Sequence, residues 1–288
     1  MQQRQLRNRI LIIGATGNIG RQVVTQLTAG EAHVRVLVRN PNAADFPPRV
    51  HVMQADLTLP ETLDKCLHGI DTVFLVWVAP MKDFAPALER IAKHAKRIVF
   101  LSAPLKTQHP LFQQPNPSRE RTEQIERLIE TSGLEWTFLR PSMLASNALG
   151  WWGPRIRGGD VVRWPYLAVP TAPIDERDIA AVAVRVLCED RHAAAEYVLT
   201  GPDSLSQFEQ IATIGRVIGR SLRIEEITPG EWLGELPGWP PFVANMLLDA
   251  WAAAAGQPAY RSSTVLEITG TPPRSFRDWV VDNAAKFG

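Results

Sequence analysis

Apolar positions in the first half of the chain follow two alternating rhythms. RILII (9–13) is an apolar run closed by a glycine, and HVRVLVR (33–39), VHVMQA (50–55), TVFLVW (72–77), RIVFLSA (97–103) and EWTFLRP (135–141) are further runs of strand length. Helical spacing lies between them. Ile19, Val23, Val24 and Leu27 mark 18–29, and PETLDKCLHG (60–69) stops at Gly69. Ile125, Leu128 and Ile129 mark 119–132, with Gly133 placed as a C-cap. Strands that are apolar throughout are buried on both faces, and strand–helix alternation builds parallel crossovers. The pattern predicts an α/β fold with a doubly wound parallel sheet.

Beyond Pro141 the rhythm breaks. Residues 142–173 are rich in Trp, Gly and Pro, carry no clean period, and predict loops and short strands. A helix is expected at 175–189, with Asp175 as its N-cap, then a strand EYVLTG (196–201) and a helix over 204–219. A strand at 223–227, two helices between 229 and 256 and a last helix near 275–285 complete the reading.

Composition narrows the function. The chain has 288 residues, 45% of them hydrophobic and 21% charged, as in ordinary globular proteins. A formal net charge of +1 does not supply the basic face that nucleic acid needs. No apolar run is long enough for a bilayer, and the start, MQQRQLRNRILIIG, is too short in its apolar part for a signal-peptide core. A cytoplasmic location without membrane attachment is expected. Cys66 and Cys188 lack metal-ligand spacing and read as free thiols in a reducing compartment, and no metal is expected.

The chemistry begins at ILIIGATGNIGRQVV. Gly14, Gly17 and Gly20 stand between a strand and a helix, as a dinucleotide fingerprint requires. Gly14 permits the tight turn, Gly17 lets the backbone approach a pyrophosphate, and Gly20 allows close packing of helix on strand. The helix start then meets the phosphates with its free N–H groups, so Thr16, Asn18 and Ile19 join the cofactor candidates. The second strand ends at Arg39, about 20 residues on, where an NAD site holds Asp or Glu. An arginine suits a 2′-phosphate, so the expected cofactor is NADP(H). Arg21 and Arg35 are lesser sources of positive charge. Asp56 is positioned for the adenine amino group or, alternatively, for a turn, with Leu57 beside it. Trp77 follows the fourth strand and is a candidate wall of the cofactor pocket.

The chain resembles the NmrA-like family of atypical short-chain dehydrogenase/reductases. GATGNIG, VLVRNP, QADLT, DTVFLV, RIVFLSA, ERLIETSGLEWTFLRPSMLASN, PIDERDIAAVAVRVL, YVLTGPDSLSQFEQIATIGRVIGR and TGTPPRSFRDWVVDNAAKF carry the likeness in the family's order. The resemblance implies a single Rossmann-type unit over 1–288, and the change of texture after Pro141 places a smaller C-terminal substrate lobe at about 142–173 and 202–288. The resemblance also implies kinship with quinone, triphenylmethane-dye and ergot-alkaloid reductases. LRPSMLASN then resembles the nicotinamide-side loop, which places Pro141, Ser142 and Met143 by the ring and Asn147 by the substrate.

One expected feature is missing. Dehydrogenases of this superfamily usually protonate a carbonyl with a Tyr-x-x-x-Lys pair. Aligned on Glu126, the resemblance puts the tyrosine at Ser118 and the lysine at Thr122. The tyrosines present, Tyr166, Tyr197 and Tyr260, have no lysine four residues later. The expectation is an NADPH-dependent reductase of a small conjugated acceptor, such as a quinone or iminium, that works without the dyad. Ser102, at the end of RIVFLSA, is a candidate nicotinamide or substrate contact, with a strand-end hydroxyl bonded to nearby backbone as the alternative, and with Lys106 and His109 in the next loop it makes up the candidate catalytic residues. Trp151, Trp152, Trp164 and Tyr166 are candidates for a flat-substrate lid, with packing of the second lobe as the alternative. A non-enzymatic NADP-binding regulator and a nucleotide-retaining isomerase or cyclase are the rival functions. The expected partner is a small-molecule substrate, with a homodimer left open.

Overall fold

The computed structural model describes residues 9–41, 45–235 and 240–288, so the basic start of the chain lies outside the described residues. The chain runs β1 (Arg9–Ile13), α1 (Asn18–Ala29), β2 (His33–Val38), β3 (His51–Gln54), α2 (Leu63–Leu67), β4 (Thr72–Leu75), α3 (Phe84–His94) and β5 (Arg97–Leu101). It continues with α4 (Pro110–Gln113), α5 (Pro117–Glu130), β6 (Glu135–Pro141), α6 (Asn147–Trp151), α7 (Gly153–Gly158), β7 (Val161–Trp164), β8 (Pro170–Thr171) and α8 (Glu176–Cys188). The last elements are β9 (Ala195–Leu199), β10 (Leu205–Ser206), α9 (Gln207–Ile218), β11 (Arg223–Glu226), α10 (Pro229–Gly234), α11 (Pro241–Ala254), α12 (Thr264–Thr269) and α13 (Phe276–Asn283).

Seven strands form one sheet in the order β3-β2-β1-β4-β5-β6-β9. The strands from β3 to β6 pair in parallel, as the doubly buried apolar runs predict. The order reverses between β1 and β4, which is the switch point where ligands of such sheets bind at the carboxyl edge. Register brings one edge together: Ile13 pairs with Leu75, Leu75 with Phe100, and Leu101 with Leu139.

The chain divides into two compact units. The first holds Met1–Ala103, Pro117–Arg140 and Glu176–Tyr197, and the second holds Pro104–Asn116, Pro141–Asp175 and Val198–Gly288. In the first unit, Leu63, Val73, Ile98, Ile125, Ile129 and Phe138 belong to one buried cluster. Helix α3, which the apolar pattern above leaves out, joins them through Phe84, Ala87, Leu88 and Ile91, spaced three and four apart. On α1, Val23, Val24 and Leu27 are buried, and α1 packs against α8.

In the second unit, residues 142–173 form two short helices and two short strands rather than loop with strands alone. Gly150, Gly153, Pro154 and Gly158 interrupt the apolar period there, which is why no helix was legible. Helix α4 likewise occupies a segment read as loop, and β7 pairs in parallel with β11, from far along the chain.

Candidate functional site

Each glycine of the β1–α1 turn is needed for a different reason. Gly14 has φ +90°, and a Cβ there would stand 2.7 Å from the Val76 Cβ. A Cβ on Gly20 would meet the Gly14 carbonyl oxygen at 2.1 Å, so the helix approaches the turn only because residue 20 has no side chain. Gly17 differs. Its φ of −76° suits any residue, and the nearest atom to an added Cβ is the Gly14 oxygen at 3.4 Å. Nothing within the chain demands glycine at 17, so the open space points outward, to a ligand.

The helix start agrees. Gly17 is the N-cap of α1, no side chain caps it, and its first turn holds no acidic residue. Helices α9 and α10 are built the other way, with capping boxes Ser206/Glu209 and Thr228/Glu231 closing their first N–H groups. The Ser206 backbone N–H and hydroxyl hold the Glu209 carboxyl below its ordinary range. Thr16, Gly17 and Asn18 are exposed and Ile19 is buried, its side chain belonging to the core and its backbone to the turn. An uncapped helix start at the switch point is a site for phosphate oxygens, and the residues present fit a dinucleotide pyrophosphate.

Arg39 follows β2 and is exposed, and among the described residues its guanidinium has no hydrogen-bond partner. Asp56 is partly engaged: its Oδ1 accepts from the Thr58 N–H and hydroxyl, both at 2.9 Å. These bonds, with a smaller contribution from Arg39, hold its carboxyl below the ordinary value. Leu57 is core, and Trp77 is buried edge-on against Phe84 with ring centroids 5.0 Å apart. The Trp77 Nε1 has no acceptor among the described residues.

Arg21 is exposed near the turn. Arg35 is not a cofactor cation, because it donates to the carbonyls of Cys66 (2.6 Å) and His68 (2.9 Å). It helps line a cavity of about 750 Å³ at the opposite, amino-terminal edge of the sheet, with Arg9, His33, Arg49 and Asp71. The other arginines there are engaged as well, Arg9 with Asp71 and Arg49 with the carbonyls of Thr28 and Gly30.

Beyond β5 the same carboxyl edge carries Ser102. Its hydroxyl donates to Glu126 Oε1 at 2.6 Å. Glu126, on α5, is bound on both oxygens by Arg140 of β6, with Nε at 3.0 Å and a terminal nitrogen at 2.7 Å. The other terminal nitrogen of Arg140 donates to Glu196 of β9 at 2.6 Å. Glu126 and Arg140 are absent from the sequence-derived candidates. The available signals were a glutamate on the apolar face between Ile125 and Ile129, and an arginine inside the strand EWTFLRP. Ser118 is exposed, and the Thr122 hydroxyl donates to the Ser118 carbonyl within the helix.

The remaining candidates lie in the second unit. Lys106 is exposed. His109, expected in a solvated loop, is buried and caps α4: its Nδ1 accepts from the Leu111 N–H at 3.3 Å. That fixes the proton on Nε2, which donates to the Pro258 carbonyl at 2.8 Å. Both ring nitrogens serve the fold, so the histidine is not poised as an acid. Pro141 is buried, and the Ser142 hydroxyl donates to the Ala172 carbonyl at 3.0 Å. Met143 packs against the aromatic cluster, and Asn147 opens α6.

Trp152 and Trp164 are fully buried, with Trp232 and Trp251, and do not form a lid. Trp164 stands among Trp152 (5.8 Å between centroids), Trp232 (5.1 Å) and Trp251 (5.7 Å), and Trp151 borders the group. The Trp164 indole N–H donates to Gln207 Oε1 at 2.6 Å. Arg155 lies over the Trp164 ring at 5.4 Å, and burial lowers its pKa. Tyr166 is partly buried with φ +53°, and its carbonyl accepts from Gln207.

A family model described as NAD(P)H-binding matches residues 14–190. The chain belongs to this NAD(P)H-binding family. It is 37% identical over 286 residues to the (4-alkanoyl-5-oxo-2,5-dihydrofuran-3-yl)methyl phosphate reductase of Streptomyces griseus subsp. griseus, covering 96% of this chain and 99% of the relative. It is 32% identical over 290 residues to the NAD(P)H azoreductase of Xenophilus azovorans, covering 97% and 99%. The fold superposes on the NADPH complex of the quinone oxidoreductase QOR2 from Escherichia coli with a TM-score of 0.78 at 23% identity, covering 95% and 99%.

The family member described here is thus an NmrA-like atypical short-chain dehydrogenase/reductase on a Rossmann fold. It is an NAD(P)H-dependent oxidoreductase. Among the described residues, no helix is long and apolar enough to cross a membrane.

Proposed function

We propose that the chain is an NADPH-dependent reductase of a small conjugated acceptor and that it works without a tyrosine–lysine dyad. The observation that carries this reading is that the positions on α5 to which the family resemblance assigns the dyad hold Ser118 and Thr122. Neither an exposed serine nor a threonine bonded to its own helix supplies a proton to a developing alkoxide. When bound, the reduced nicotinamide supplies a hydride.

An acceptor that spreads the resulting charge needs little proton help at that moment. Quinones, iminium ions, azo groups and unsaturated lactones conjugated to a second carbonyl are of this kind. The names of the relatives, an azoreductase and a reductase of an unsaturated oxo-dihydrofuran, support the same class. The protein's part is to hold the cofactor at the α1 start, align its ring and exclude water. Arg39 supports selection of the 2′-phosphate.

The test is NADPH oxidation with a para-quinone, an azo compound and an unsaturated lactone, against a simple ketone and aldehyde. The reading expects turnover of at least one conjugated acceptor and little of the simple carbonyls. Brisk ketone turnover would overturn it.

A further inference from the structure

The chain of side chains behind Ser102 defines which way its hydroxyl works. We propose that Ser102 accepts a hydrogen bond from the carboxamide N–H of the bound nicotinamide, with Glu126 and Arg140 as the positioning residues that fix its hydroxyl for that role. The proposal rests on the reading that a nicotinamide ring lies at this edge of the sheet.

A serine hydroxyl has one proton to give and two lone pairs to receive with. The proton of Ser102 is committed to Glu126 at 2.6 Å. Glu126 does not return one, because both its oxygens face Arg140 and a paired carboxylate only accepts. Arg140 is itself held. It is 2% exposed, and its remaining terminal nitrogen is on Glu196 at 2.6 Å. Burial opposes its charge, but the bonds and charges of Glu126 and Glu196 outweigh that and keep its pKa above the ordinary value.

The Ser102 backbone is fixed too, with its N–H donating to the Leu139 carbonyl at 2.8 Å. Among the described residues no group donates to the Ser102 oxygen, and the residue is half-buried. The network therefore presents an acceptor, not an acid, at the carboxyl edge.

Chemistry selects the donor. Quinones and unsaturated lactones present acceptor oxygens and no N–H. The nicotinamide carboxamide carries N–H donors in both oxidation states and is attached next to the carbon that gives up the hydride. A bond from it to Ser102 would fix the ring's rotation about its glycosidic bond, and with it the face turned to the acceptor.

The experiment is a binding titration without any acceptor, so turnover does not enter. NADPH is compared with its reduced 3-acetylpyridine analogue, in which a methyl group replaces the amide nitrogen. The ratio of the two dissociation constants is the readout. Ser102→Ala should reduce the preference for NADPH by about 3- to 10-fold, the value of one neutral hydrogen bond. Ser102→Thr, which keeps the hydroxyl, should restore it.

Glu126→Gln should reduce the ratio as well, because its amide can donate to the Ser102 oxygen and release the hydroxyl proton, which then turns toward the carboxamide N–H. In the Ser102→Ala background that effect should vanish, the mark of two residues acting through one bond. A merely structural role for Glu126 would weaken both nucleotides alike and leave the ratio alone. A wild-type ratio in Ser102→Ala, or a Glu126→Gln effect that persists without the hydroxyl, overturns the proposal. An intact ratio effect with no turnover of any conjugated acceptor would instead count against the function proposed above.

Discussion

The glycine turn of the first unit and the tryptophan cluster of the second are both dense in residues chosen for shape, and they differ in what the shape is for. At the turn, Gly14 and Gly20 are needed by the protein itself, since a Cβ at either would strike Val76 or the Gly14 carbonyl. Gly17 is needed by nothing inside. In the cluster every large ring has an internal partner, and Trp152, Trp164, Trp232 and Trp251 have no exposed surface. A residue whose identity the fold leaves unexplained marks a ligand, while a residue packed on every side by its neighbours marks a core.

The largest expected effect is at the turn. Gly17→Val should abolish NADPH binding in a titration while costing the fold no more than about 1 kcal/mol, the scale of a changed N-cap. Normal binding by this variant would erase the distinction between Gly17 and its two neighbours. The mirror experiment is Trp164→Ala, which should cost about 3–5 kcal/mol in denaturant unfolding. If its main effect were instead a raised KM with an unchanged melting temperature, the cluster would be substrate surface after all.

Arg39→Ala comes next. NADPH should lose about 1.5–3 kcal/mol of affinity while NADH is nearly unaffected. Equal wild-type affinities for the two nucleotides would remove Arg39 from the site. The smallest effect is expected on α5, where Ser118→Ala and Thr122→Ala should leave kcat nearly unchanged. A general acid contributes about 10²–10⁴-fold, so a hidden role at either position would be plain in steady-state rates.

The sheet was legible because its evidence is local. The strands from RILII to EWTFLRP are mostly continuous apolar runs, the edge strand β3 being mixed and only partly buried, and each crossover helix but α3 showed its period. The cofactor turn was legible for the same reason, since strand, glycines and helix lie within one short stretch. The second unit was not. Trp151, Trp164, Trp232 and Trp251 come from α6, β7, α10 and α11, and only the folded chain shows that Trp164 meets Trp232 and Trp251. Glycine and proline in 142–173 suggested a lid because they hide short helices. His109 misled in a similar way, since its partner, the Pro258 carbonyl, is 149 residues away. The Ser102–Glu126–Arg140 network escaped notice because buried charges on apolar faces give no period of their own.

The uncapped start of α1 has a consequence for the lifetime of the protein as well as for its chemistry. Helices α4, α9, α10 and α13 cap their first turns with side chains, whereas α1 has no side-chain cap at the turn proposed to hold the cofactor. A nucleotide bound there thus becomes part of the folding equilibrium. At a free concentration 100 times its dissociation constant, it would deepen the native state by about 2.7 kcal/mol. The effect would not stop at the turn, because α1 packs on α8 and the Gln26 side chain donates to the Arg177 carbonyl at 2.9 Å. Resistance to proteolysis would then rise and fall with the supply of reducing nucleotide, so that the cell would keep most of this enzyme when it has the means to use it.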